Sequence, residues 1–155
     1  MNGAELLLGS EALARHGSRT ALICGEASVT FAELAARVAR AAGAFAALGV
    51  RPGDRVLFLM RDTPDFAAAW LGAIRAGAVA VALNDKLSDA ELEHAAADSR
   101  PSVALFEQEF IHRRLAGVKP MLASAFASHA AIAPATTAAF HAAAEAPAFM
   151  LYSSG

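Results

Sequence analysis

Three small residues, Ser153-Ser154-Gly155, follow an apolar run, Ala148-Phe149-Met150-Leu151-Tyr152. The run predicts a buried strand. Hydroxyls and unpaired backbone N–H groups at the carboxyl end of such a strand are groups that grip phosphate, because open α/β sheets bind anions there. Glycine lets the backbone come close to a phosphate oxygen. The ending therefore reads as half of a phosphate-binding loop. By itself Ser-Ser-Gly is ordinary turn chemistry, so the surrounding elements must decide.

Other chemistry finds little support in the residues. The five histidines, His16, His94, His112, His129 and His141, show neither HxH nor HExxH spacing, and the single cysteine cannot form a thiolate cluster, so no metal site is expected. No G-x-S-x-G elbow makes Ser153 or Ser154 a hydrolase nucleophile. The complete G-x-x-x-x-G-K-[ST] loop and the G-x-G-x-x-G fingerprint are both absent. Cys24 lies in the apolar run Thr20-Ala21-Leu22-Ile23-Cys24, where a thiol with nothing to activate it is expected to act as a small buried hydrophobe.

The elements that would position the terminal turn are legible. Residues 4–16 predict a helix stopping at Gly17, and Thr20–Cys24 with Ser28–Val29 predict a strand pair turned at Gly25-Glu26. Thr30-Phe31-Ala32-Glu33 is a capping box. Leu34, Val38, Ala41, Phe45 and Leu48 follow as one apolar stripe ending at Gly49, which predicts a helix packed on a sheet. Val56–Met60 is continuously apolar, as a strand covered on both faces requires. Thr63-Pro64 caps the next helix, which carries Phe66, Trp70 and Ile74 to Gly77. Val79–Leu83 is a second strand, Ser88-Asp89-Ala90-Glu91 a second capping box, and Arg100-Pro101 a stop before the strand Ser102–Phe106. Beyond it the pattern weakens: Gln108–Leu115 reads as helix, Lys119–Leu122 as a short strand, the alanine-rich tract as helix or loop, and Phe149–Tyr152 as the last strand.

This strand and helix alternation predicts an α/β fold with a parallel βαβ sheet flanked by helices. A length of 155 residues suits one domain. Thirteen basic against fifteen acidic residues give a net charge of −2, too little positive field to gather nucleic acid or anionic lipid. The lone cysteine excludes an internal disulfide and fits a reducing, cytoplasmic setting. The tract Leu122–Ala144 lacks Lys, Arg, Asp and Glu, but Ser124, Ser128, His129, Pro134, Thr136, Thr137 and His141 interrupt it, so no membrane span is expected. No signal peptide is expected either, since no basic leader precedes an apolar core.

Four segments, in order, resemble one family. These are Val29-Thr30-Phe31-Ala32-Glu33-Leu34, Gly49-Val50-Arg51-Pro52-Gly53-Asp54-Arg55-Val56, Leu71-Gly72-Ala73-Ile74-Arg75-Ala76-Gly77-Ala78-Val79 with Val81-Ala82-Leu83-Asn84, and Tyr152-Ser153-Ser154-Gly155. Together they look like the amino-terminal region of the adenylate-forming superfamily of acyl- and aryl-CoA ligases, luciferases and peptide-synthetase adenylation domains. There the last segment opens a Y-[ST]-S-G-[ST]-T-G-x-P-K-G phosphate loop. Asp62-Thr63-Pro64-Asp65-Phe66, Asp98-Ser99-Arg100-Pro101 and Pro147–Tyr152 resemble the benzoate-CoA ligase branch. The resemblance covers nearly the whole chain and is weakest over residues 108–146.

The resemblance implies an ATP- and Mg²⁺-dependent ligase that forms an acyl-adenylate from a carboxylic acid, of the benzoate kind, and passes the acyl group to CoA. Ser153, Ser154 and Gly155 would hold ATP phosphates, and Lys86, two positions after Asn84, would meet the CoA nucleotide phosphates. It also implies that residues 1–155 are a single partial domain cut within the phosphate loop. The loop's lysine, the acid pocket, the ribose-binding aspartate, the hinge and the mobile carboxy-terminal domain would lie elsewhere, and the rest of the ligase would cover one face. The chain alone is then expected to be inactive, because positioning and charge stabilisation act as a unit. Two alternatives remain: a non-catalytic interaction module that keeps the subdomain, and a parent enzyme that loads a carrier-protein thiol instead of CoA.

Overall fold

The continuous apolar run at the centre of the sequence becomes the centre of a parallel sheet. In the computed structural model, which describes residues 2–113, 115, 117–136 and 138–152, five strands lie in the order β6-β5-β3-β4-β7, every neighbouring pair parallel. They are β3 (Arg55–Leu59), β4 (Val79–Ala82), β5 (Val103–Phe106), β6 (Met121–Leu122) and β7 (Phe149–Leu151). The α/β class expected from the alternation is the fold observed. Val56, Leu57, Phe58 and Leu59 of β3 are all fully buried, since side chains alternate between two covered faces.

The helices supply those covers. On one face lie α3 (Phe31–Ala47), α4 (Pro64–Arg75) and α6 (Ala123–Ile132), meeting Val56 and Phe58; on the other α5 (Asp89–Ser99) meets Leu57 and Leu59. Thr30 caps α3 as expected, its hydroxyl accepting from the Glu33 N–H at 3.2 Å while its own N–H donates to the Glu33 carboxylate at 2.8 Å. Leu34, Val38, Ala41 and Phe45 are buried, but Leu48 is 37% exposed because the helix ends at Ala47 and the chain turns away through Gly49. The helix meets the sheet through Phe45, whose ring packs edge-on against Phe58 at 6.5 Å, and its main neighbours are α4 and α6. Close approach of α3 and α4 requires Gly72, where a Cβ would lie 2.6 Å from the Ala41 methyl carbon. On α4 the Thr63 cap holds, with Phe66 and Trp70 only half-buried, while Ala68, Ala69, Leu71, Ala73 and Ile74 carry the contact.

Several expectations change. The helix expected over residues 4–16 is two, α1 (Gly3–Leu8) and α2 (Ser10–His16), broken at the extended Gly9. The first hairpin, β1 (Thr20–Cys24) with β2 (Ala27–Thr30), is a separate antiparallel pair, so only Val29 is buried and Cys24 is exposed, not the buried hydrophobe expected. Among the described residues of Gln108–Leu115 a 3₁₀ turn, Gln108–Phe110, replaces the expected helix. The last strand is an edge, not a buried strand: Phe149 is 49% and Leu151 71% exposed, because among the described residues only β4 pairs with it.

Among the described residues the tract after α6 has no helix or strand up to β7, and tertiary hydrogen bonds hold it. The buried Asn2 amide donates to Ile74 O at 2.8 Å and Phe140 O at 3.0 Å, and the Phe140 N–H donates to Arg75 O at 2.9 Å. Arg75 also reaches the Thr136 hydroxyl at 3.0 Å. Among the described residues no helix is long and apolar enough to cross a membrane.

Candidate functional site

The connection leaving β3 passes to the α4 face and that leaving β4 to the α5 face, so the carboxyl ends of these neighbours form a topological switch point. Open α/β sheets bind ligands outside such a point. In this molecule an ion pair spans it: Arg61, just after β3, is 2.9 Å from the Asp85 carboxylate in the β4–α5 loop. Arg61 also donates to both oxygens of Glu109, at 2.7 and 3.2 Å, and lies 5.5 Å over the Phe110 ring. The hydrogen bond from Arg61 holds the Glu109 carboxyl below the usual carboxylate range.

On the far side of β4, β7 runs parallel in the register Ala82↔Leu151, so Tyr152 lies at the same end of the sheet as the β4–α5 loop. Ser153, Ser154 and Gly155 lie outside the described residues. Tyr152, the residue before them, is anchored. Tyr152, packed on the α5 side of the sheet, donates its phenol to the Asp98 carboxylate at 2.6 Å. Burial against this cluster, then the bond to Asp98, pushes the phenol up to about 12.

Lys86 is exposed on that loop, and its ammonium has no hydrogen bond or ion pair among the described residues. Its backbone is held: the Lys86 N–H donates to Asn84 Oδ1 at 2.9 Å, and the Leu87 N–H to Asn84 O at 3.2 Å. The helix that follows begins with the Ser88 and Glu91 capping box, whose bonds from the serine hydroxyl and N–H lower the Glu91 carboxyl. Arg113 ties the loop from another side, donating to Leu87 O at 2.6 Å, Asp85 O at 3.3 Å and the Asp89 carboxylate at 2.8 Å.

Thus the fold brings Lys86 and Tyr152 to one end of the sheet. Arg61, Asp85, Asp98 and Arg113 were not found by sequence reasoning. No motif spacing marks Arg113, which lies where the pattern is weakest; Asp98 stands in the Asp98-Ser99-Arg100-Pro101 segment, but nothing in the sequence pairs it with Tyr152. Among the described residues no group of three or more His, Cys, Asp or Glu could hold a metal ion. A groove of about 650 Å³ opens at the opposite end of the sheet, beside Pro52, Gly77 and Phe140, away from these residues.

Residues 10–155 match the AMP-binding enzyme family. The chain belongs to that family. Among curated relatives, the 3-hydroxybenzoate–CoA/4-hydroxybenzoate–CoA ligase of Thauera aromatica is 43% identical over 112 residues, which are 72% of this chain and 21% of that protein. This AMP-binding chain therefore spans about a fifth of the length of the curated relatives it matches. The crystallised benzoate CoA ligase of Burkholderia xenovorans LB400 superposes with a TM-score of 0.87 at 27% identity, covering 98% of this chain and 32% of that one. The anthranilate CoA ligase AuaEII, solved with anthranoyl-AMP, gives a TM-score of 0.88 at 26% identity over 100% of this chain and 32% of its own.

Proposed function

We propose that residues 1–155 are one partial domain, the amino-terminal part of an ATP-dependent ligase that joins an aromatic carboxylic acid of the benzoate kind to CoA. The observation that carries this reading is the placement of Tyr152 at the end of a parallel strand beside β4, in a chain 43% identical to a hydroxybenzoate-CoA ligase.

The chemistry explains what such a site must supply. A carboxylate oxygen attacks the α-phosphorus of ATP, the bond to pyrophosphate breaks, and a thiol sulfur then displaces AMP from the acyl carbon to give the thioester. Attack of one anion on another needs fixed donors around the developing charge. Ser153 and Ser154 hydroxyls and the Gly155 N–H supply donors to phosphate oxygens; they form no covalent bond. Tyr152, tied to Asp98, orients the strand end that presents them. The unpartnered ammonium of Lys86 faces the nucleotide phosphates of CoA. Among the described residues no group of three or more His, Cys, Asp or Glu could hold a metal ion; Mg²⁺ bound with ATP would take phosphate oxygens as ligands and offset their charge. Since positioning and charge stabilisation act together, the 155-residue polypeptide alone is inactive.

Acid-dependent exchange of pyrophosphate into ATP tests this. The protein in its full natural length exchanges with benzoate or hydroxybenzoates and the isolated 155-residue polypeptide does not. Full-length protein that ignores ATP with every aromatic and aliphatic acid offered would overturn the assignment; exchange by the short polypeptide would overturn its inactivity.

A further inference from the structure

The Asn84–Ser88 segment is a short surface loop, yet it is held from two connections at once. From the β3–α4 connection Arg61 meets the Asp85 carboxylate at 2.9 Å and is itself held by Glu109. From the segment after β5 Arg113, whose side chain is only 12% exposed, donates to Asp85 O, Leu87 O and the Asp89 carboxylate. These bonds bracket Lys86 on both sides without touching its ammonium. A lysine is a flexible point charge, and an anion gains most from one whose backbone is already ordered.

We propose that Arg61 and Arg113 are positioning residues for Lys86, ordering the β4–α5 loop so that its ammonium meets the nucleotide phosphates of the thiol acceptor. The inference rests on the CoA reading of Lys86 given above. Arg113 supplies the rigid part, since its planar fork fills three acceptors in the loop and at the first turn of α5. Arg61 supplies the lateral part across the switch point. The Arg61 side chain is 55% exposed, and ion pairs so open to solvent contribute little to global stability, so Arg61→Gln leaves the fold intact while releasing Asp85.

The test compares CoA with pantetheine, a thiol without nucleotide phosphates, in thioester formation by the full-length protein. Lys86→Gln raises the KM for CoA about five- to tenfold, the loss of one charge-assisted contact, and leaves the KM for pantetheine unchanged. Arg61→Gln and Arg113→Met each raise the KM for CoA by about two- to fivefold with pantetheine unaffected, and add nothing to Lys86→Gln, as expected for residues acting through one group. Arg113→Lys falls between wild type and Arg113→Met. Pyrophosphate exchange, which precedes the thiol step, is unchanged throughout. Equal losses for CoA and pantetheine, or effects that add to Lys86→Gln, would show a merely structural role and overturn the inference. If Lys86→Gln does not separate the two thiols, the CoA reading itself fails and takes the inference with it. If it does and Arg61→Gln does not, only the positioning role is lost; Arg61→Gln decides this even where Arg113→Met does not fold.

Discussion

Tyr152 is the one tyrosine of the chain, so its ionisation can be followed without interference. Burial on the α5 side raises the phenol first and the Asp98 carboxylate adds to it, holding the proton up to about pH 12 against an ordinary value near 10. Between those values the folded chain keeps a proton that the unfolded chain has lost. Stability contributed by this group is therefore complete below about pH 10 and drains away as pH rises toward 12. Ultraviolet difference titration is expected to place the phenol near the upper value, and Asp98→Ala to lower it part of the way, because burial remains. A phenol titrating at the ordinary value in the folded protein would show that the Tyr152–Asp98 bond does not anchor the strand end.

Two helices begin with reciprocal caps and meet their neighbours through small residues. Removing the Thr30 hydroxyl leaves the Glu33 N–H without its acceptor, and Thr30→Ala is expected to cost about 0.5–2 kcal/mol in chemical denaturation. The bonds from Thr30 also hold the Glu33 carboxyl below the usual range, so the cap's contribution is present above the ordinary carboxylate pKa and is lost as pH falls through the lowered one. A larger loss is expected where α3 and α4 touch. Gly72→Leu drives carbon into Ala41 and the backbone of Ala42, and overpacking of this kind costs about 1–3 kcal/mol or more. Both are read as a drop in the denaturant midpoint; a Gly72→Leu protein as stable as wild type would mean that the two helices do not pack at this distance.

Across the whole molecule the two edges of the sheet differ. The short β6 leads directly into α6, whereas β7 presents Phe149 and Leu151 to solvent, with Phe149 partly shielded by Trp70 at 5.5 Å. An exposed apolar edge strand invites pairing with another chain. The 155-residue polypeptide is therefore expected to self-associate at concentrations where Leu151→Lys, which places a charge on that edge, stays monomeric in sedimentation velocity. Wild-type polypeptide that is monomeric at the same concentration would remove β7 as an association surface.

What could be read from residue order was local. Capping boxes at Thr30 and Ser88, the Thr63-Pro64 start and the uniformly apolar β3 are short-range signals, since backbone donors near a helix start are satisfied by side chains three positions away and a doubly covered strand needs no polar alternation. Those signals carried the fold class and most element positions. They failed where stabilisation comes from far along the chain: the tract ordered by Asn2 and Arg75, the residues after β5 that form one 3₁₀ turn, and the edge position of β7. The loop around Lys86 shows the same divide. Its lysine is visible in sequence, but Arg61 and Arg113 bond the loop around it through partners 24 to 28 residues away, such as Leu87 for Arg113 and Asp85 for Arg61, 26 and 24 residues apart. Only the order of strands in the sheet brings those partners together, because a hydrogen bond between distant residues depends on geometry that no local spacing encodes.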